Sequence, residues 1–221
     1  MWLQDLAIGL RKNVWTPPNW LLRLKLGLAF LTLLLFVLAS ISPRLPGDLA
    51  ILLWLQSPQS PWLTKAAMTV SHLADTPIAL GMMGVVVFLL LMWRRRDVAV
   101  MMLLSLVPIG AGNLLKMVVG KTRPEYLLLD VAPASLSFPS GHALFAAIFG
   151  GLLVWLAEES IRSPMIRRSV QVSLGLLILA VGWSRVYLGV HWPSDVIGGY
   201  MYGLLAVWLL TWLRRILFYQ I

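Results

Sequence analysis

The feature that most constrains this chain is a succession of six apolar stretches, approximately Leu22–Ile41, Pro77–Trp93, Val98–Val118, His142–Ala157, Val170–Val190 and Val196–Leu213, with most charges confined to the segments between them. A run of roughly 20 apolar residues is what an α-helix needs to cross the hydrocarbon core of a bilayer. Lipid in turn permits only helices or closed barrels, because every backbone N–H and C=O must find a partner within the protein. Composition agrees. Hydrophobic residues make up 59% and charged residues 12% of the 221, about half the charged fraction of an ordinary soluble domain. The sequence therefore predicts an all-α, polytopic membrane protein with six transmembrane helices. A soluble globule, a disordered chain and a disulfide scaffold are excluded; there is no cysteine at all.

The formal charge of +9 does not imply nucleic acid, because the basic residues cluster beside apolar runs and eleven tryptophans accompany them, as in interfacial anchoring. Placing both termini in the cytoplasm puts twelve of the eighteen basic residues on that side beside only four acids. The opposite side receives six basic and five acidic residues. This is the asymmetry that inserted helices show. Residues 1–21 are expected to lie along the inner interface through Trp2, Leu6, Leu10 and Trp15, without a signal-peptide pattern. Residues 43–76 form a long outer connection in which Leu49–Leu55 is too short to cross, so an interfacial or re-entrant helix is expected there. The whole chain, 1–221, reads as a single membrane-embedded domain.

The polar residues that remain gather at the outer ends of the later spans. Lys116 and Arg123 are seven apart and can share one helix face two turns apart. Lys121 falls on another face and is expected to be a surface charge. Ser140-Gly141-His142 opens a helix after a proline-containing loop; Ser140 can cap it, and its free amides complement an anion. Arg185 closes the fifth span with a planar donor fork suited to phosphate oxygens. His191 and Asp195 are four apart at the start of the sixth, close enough for the carboxylate to fix one imidazole tautomer. Each pattern alone fits an anchor, a helix start or a structural cap. All of them at one membrane face point to an anion site, since burying so many ionisable groups is costly unless they pair or bind a ligand.

Lys116 with Arg123-Pro124, Pro139-Ser140-Gly141-His142, and Ser184-Arg185 with His191 and Asp195 resemble, in order and spacing, the three signature motifs of the type 2 phosphatidic acid phosphatase superfamily. The resemblance covers residues 116–195. It implies metal-independent hydrolysis of a membrane lipid phosphate, with no cofactor: His191 the nucleophile, Asp195 its orienting partner, His142 the general acid, and Lys116, Arg123, Ser140, Gly141 and Arg185 the phosphate-binding groups. The expected partners are a phospholipid or isoprenoid phosphate in the bilayer and water, with no nucleic acid and no obligate protein. Undecaprenyl diphosphate and phosphatidylglycerol phosphate or phosphatidic acid are the candidate substrates. A bacterial inner membrane, with the site at its periplasmic face, is the expected location. Glu125 stands where many bacterial relatives carry another basic residue, which weakens assignment to diphosphates. His72 and Asp75 are candidate headgroup contacts, a local cap or surface pair being the plainer reading. A lipid phosphotransferase is the alternative within enzymology. A phosphate or lipid transporter is the non-enzymatic one, with Pro108, Gly110 and Gly112 as its best support.

Overall fold

A computed structural model of the chain describes residues 19–128 and 134–219, all of them helix or loop with no strand among them. Helix α1 (Asn19–Ile41) is followed by the short α2 (Asp48–Gln56), α3 (Pro61–His72), α4 (Thr76–Met92), α5 (Arg96–Leu104) and α6 (Leu106–Val119). After a loop come α7 (Gly141–Phe145), a π-helical segment (Ala146–Gly150), α8 (Gly151–Ser160), α9 (Pro164–Tyr187) and α10 (Pro193–Tyr219). Five stretches are long and apolar enough to cross a membrane: α1, α5 with α6 as 96–119, α7 through α8 as 141–160, α9, and α10 to Phe218. Helices α3 and α4 make a sixth only as a pair bent by 52°. Trp2, Leu6, Leu10 and Trp15, on which the interfacial N-terminal segment was expected, lie outside the described residues.

The surface shows why lipid is the solvent. Leu24, Phe30, Leu33 and Ile41 of α1 are more than 60% exposed, and only Thr32 and Ala39 of that helix are buried. In water such a face would forfeit about 25 cal/mol for every Å² left uncovered. Thr32 spends its hydroxyl within the helix, donating to the Leu28 carbonyl at 2.7 Å. The fourth apolar stretch, short on sequence grounds, runs unbroken for 20 residues as 141–160 and is the most enclosed of the spans. The break between α5 and α6 falls at Ser105. Pro108 has no N–H to offer the Leu104 carbonyl four residues back, so regular helix cannot pass through that turn.

Helix α10 is the axis of the bundle, packing on α1, α5, α7 and α9. It approaches α7 closely because Gly199 carries no side chain: a Cβ there would stand 2.8 Å from the Ser140 carbonyl oxygen. The main core of Met83, Met101, Met102, Leu144, Ile148, Leu152 and Leu210 lies among α4, α5, α7–α8 and α10. Charges mark the two ends. At one, Arg214 bonds Asp97 through Nε at 2.7 Å and Glu159 through Nη1 at 2.8 Å, while Arg95 reaches Glu159 at 3.0 Å. The other end holds the C-termini of α3, α6 and α9 and the N-termini of α4, α7 and α10. Nearly all the candidate residues named above sit there.

Candidate active site

The C-termini of two helices and the N-termini of two others deliver the polar groups. Lys116 rides the last turn of α6, and Gly120 (φ 70°) then ends that helix in the left-handed conformation. Arg123 follows in the loop. Ser140 caps α7, its Oγ accepting from the Ala143 amide at 3.5 Å. Arg185 lies in the last turn of α9, and a tight turn through Gly189 (φ 71°) carries the chain to His191. That turn is fastened by the amides of Val190 and His191, which both donate to the Arg185 carbonyl at 3.1 and 3.2 Å. Gln56 of α2 holds it from outside, donating to the carbonyls of Tyr126 and Tyr187 at 2.9 Å each.

A cavity of about 270 Å³ opens between these ends. Lys116, Arg123, Gly141, His142, Arg185 and His191 line its polar part. Ala79, Leu80, Leu106 and Ile109 line the apolar remainder, between α4 and α6. The structure thus brings together six of the eight residues assigned to catalysis or phosphate binding. Asp195 and Ser140 stand directly behind them, both fully buried, and the Ser140 amide donates to the Asp195 carbonyl at 3.0 Å. Neither packing nor backbone demands glycine at 141, since a Cβ there would meet nothing within 4 Å. What a bare Cα does provide is close approach of an anion to the amides at the start of α7.

The cations are held by carbonyls and hydroxyls rather than neutralised. Lys116 Nζ donates to the Leu136 carbonyl at 2.9 Å. Arg123 spreads its guanidinium over the Ser135 carbonyl (2.6 Å), the Ser135 hydroxyl (2.9 Å) and the Val190 carbonyl (2.5 Å). Arg185 donates to the Ser71 hydroxyl, and its Nε is buried with no hydrogen-bond partner among the described residues. Among the described residues none of the three forms an ion pair with a carboxylate. An uncompensated buried charge is expensive, so a group of three in one cavity suits an anionic ligand.

His191 is 1% exposed. Its Nε2 lies 3.3 Å from Arg123 Nη1, and its Nδ1 lies 3.4 Å from both Asp195 Oδ2 and Ser137 Oγ. A guanidinium can only donate, so Nε2 is the bare nitrogen and Nδ1 carries the proton toward the carboxylate. Burial, reinforced by Arg123, Arg185 and Lys116, pushes the His191 pKa well below the ordinary imidazole value, which keeps the ring neutral. Burial also lowers that of Arg123, against the opposing influence of Asp195.

Behind Asp195, the reading of Lys121 needs correction. Lys121, expected at the surface, is 2% exposed, and its Nζ lies 2.9 Å from Asp195 Oδ1, 3.4 Å from Asp48 Oδ2 and 2.6 Å from Ser194 Oγ. Asp48, from the start of α2, accepts from the Ser194 amide and hydroxyl at 2.9 and 2.7 Å. Ser137 donates to Asp195 Oδ2, as does the Trp192 amide at 2.9 Å. Helical extrapolation from Lys116 to Lys121 failed because α6 stops at Val119 and the chain turns inward. Sequence reasoning also missed Asp48, Ser71, Ser135 and Ser137. Only the Gly47-Asp48 helix start carried a visible signal. His72 and Asp75 do pair locally, at 2.6 Å between Nδ1 and Oδ2, but the other Asp75 oxygen lies 2.9 Å from His142 Nε2.

The model of the PAP2 superfamily matches residues 96–218, more than half the chain and every residue of the cavity's cationic lining. The chain belongs to the PAP2 superfamily. Among its relatives in that family, phosphatidylglycerophosphatase B of Bacillus subtilis is 31% identical over 156 residues, spanning 68% of this chain and 75% of that protein. The undecaprenyl-diphosphatase of Sulfolobus acidocaldarius is 34% identical over 125 residues, covering 54% and 56% of the two chains. The crystal structure of a transmembrane PAP2 type phosphatidylglycerolphosphate phosphatase from Bacillus subtilis superposes with a TM-score of 0.71 at 27% identity, over 84% of this PAP2 chain and 95% of that one.

Proposed function

We propose that this PAP2 protein is a membrane lipid phosphatase that works through a phosphohistidine on His191, without a metal. The observation that carries the reading is the two-sided cavity: three cations and two histidines at one end, Ala79, Leu80, Leu106 and Ile109 at the other. Phosphate and acyl or isoprenoid tail can occupy one continuous space only if the substrate is a lipid. The named relatives, a phosphatidylglycerophosphatase and an undecaprenyl-diphosphatase, support glycerophospholipid phosphates and isoprenoid diphosphates as the substrate classes. The charge bias of the loops supports a site at the outer face of a bacterial cytoplasmic membrane.

In this mechanism the lone pair of neutral His191 Nε2 attacks phosphorus as the bond to the leaving oxygen breaks. His142, as imidazolium, gives its proton to that oxygen. The imidazolium developing on His191 is stabilised through Nδ1 by Asp195. Water then attacks the phosphohistidine; His142 takes its proton, the P–N bond breaks, and inorganic phosphate leaves. Lys116, Arg123, Arg185 and the Gly141 amide match the charge on the transferring phosphoryl group, an effect magnified in a partly dehydrated site. Proton transfer to the leaving group supplies a further factor of about 10²–10⁴.

The test is phosphate release by purified protein in detergent from lipid mono- and diphosphates, with vanadate and EDTA as additions. Vanadate, which adopts the pentacoordinate geometry of the reacting phosphorus, should inhibit; EDTA should not. His191→Ala should abolish turnover. Near-normal rates for that variant would remove the nucleophile from the mechanism.

A further inference from the structure

The break between α3 and α4 touches two residues of the cavity, although no part of it belongs to the matched signature motifs. Five residues, Ser71 to Asp75, span the end of one helix and the approach to the next. Ser71, 4% exposed, accepts from Arg185 Nη1. Asp75 sits between two imidazoles, with Oδ1 2.9 Å from His142 Nε2 and Oδ2 2.6 Å from His72 Nδ1. Both carboxylate oxygens are therefore engaged, and the second contact fixes the direction of the first. Ala74 and Thr76, on either side of Asp75, line the cavity itself.

We propose that Asp75 is the positioning residue for His142, holding Nε2–H so that Nδ1 is the nitrogen that exchanges a proton with the leaving group, and that His72 holds Asp75 in place. The inference rests on the assignment of His142 as general acid. A carboxylate only accepts, so the contact makes His142 Nε2 a donor and leaves Nδ1 as the single nitrogen free for chemistry. Orientation and tautomer are what such a carboxylate provides to a catalytic imidazole elsewhere. Thus each histidine of the pair has its own carboxylate, Asp195 beside His191 and Asp75 beside His142. His72 is half exposed, its side chain 60% accessible. It belongs to neither ring's reaction and acts only through Asp75.

The test compares Asp75→Asn, Asp75→Glu, His72→Gln, His142→Ala and His191→Ala on two substrates: an alkyl lipid monophosphate, whose alkoxide is a poor leaving group, and an aryl phosphate, whose phenolate leaves unaided. Asp75→Asn should lower kcat on the alkyl ester by about 10- to 100-fold, part of the factor of about 10²–10⁴ that general acid catalysis supplies. KM should change little, and the ratio of aryl to alkyl rates should rise at least tenfold in the same direction as for His142→Ala. Asp75→Glu should recover part of the loss, and His72→Gln should shift the ratio by a few-fold. Equal losses on both substrates for Asp75→Asn, or unchanged rates on both, would overturn the proposal. A fully active His191→Ala, or a His142→Ala insensitive to the leaving group, would instead overturn the mechanism on which it rests. The two failures are read from different variants.

Discussion

Replacing Lys121 by methionine tests the buried polar network most sharply, because sequence and structure foresee opposite results. A lysine on the surface can be exchanged at a cost within about ±0.5 kcal/mol. The Lys121 side chain, however, has no exposure, and neither does that of Asp195, while Asp48 retains 3%. Methionine preserves the length of the stem and removes the charge. It leaves two buried carboxylates facing each other across the vacated space, and Ser194 Oγ without its 2.6 Å partner. Asp48 still has the Ser194 amide and hydroxyl, and Asp195 still has Ser137 and the Trp192 amide, so neither carboxylate is stripped completely. Breaking one side of a buried ion pair costs on the order of 3–5 kcal/mol. For a chain of this length that corresponds to a fall in the unfolding midpoint on the order of 10 °C. Thermal unfolding in a mild detergent, followed by intrinsic tryptophan fluorescence, measures it. The double variant Lys121→Met with Asp48→Asn should regain part of the loss, because it removes one of the two stranded charges. A midpoint within about 2 °C of the parent protein for Lys121→Met would refute the network, as that is less than 1 kcal/mol at this size.

The other expectations address the two ends of the bundle separately. With only three histidines in the chain, 15N imidazole spectra can follow each, His191→Gln supplying the assignment. His191 should remain neutral as the pH falls through about 6.5, where an exposed imidazole protonates, and should charge only well below it. Because the unfolded chain then binds a proton that the folded one does not, this residue's contribution to stability should decline as the pH drops below about 6.5; protonation near 6.5 in the native protein would contradict the assignment. Arg214→Ala, far from the cavity, removes one partner from Asp97 and one from Glu159, which keep Arg95 at 3.9 and 3.0 Å, and should cost about 1–3 kcal/mol while kcat stays at the parent value; a large fall in kcat would show the ends to be coupled. Gly199→Ala should push the Ser140 carbonyl away from α10, costing about 1–3 kcal/mol and weakening vanadate inhibition, since Gly141 follows directly. An unchanged inhibition constant would detach that glycine from the anion site.

The spans were legible in the sequence because hydrophobic run length is a local property, and lipid imposes it without reference to the rest of the chain. The cavity residues were legible for a related reason: Lys116, His142, Arg185 and His191 stand out as polar groups at the ends of apolar runs, at spacings the family shares. Their partners were not. Asp48 meets Lys121 across 73 positions and Ser194 across 146, and Ser71 meets Arg185 across 114. Single serines and an aspartate at helix ends contribute to no apolar period, so nothing local marks them as buried.

What the sequence determined by itself was therefore the solvent, the helical class and the chemistry concentrated at one end. Packing alone decided which charges are exposed and which are enclosed. Val119 ends α6 and the following loop folds back under α10, which turns Lys121 from a surface residue into the counter-charge of Asp195. The bend between α3 and α4 likewise carries Asp75 to His142, 67 residues away. Both outcomes depend on where a helix stops and which way the chain then runs, a property of the assembled bundle that no single segment encodes.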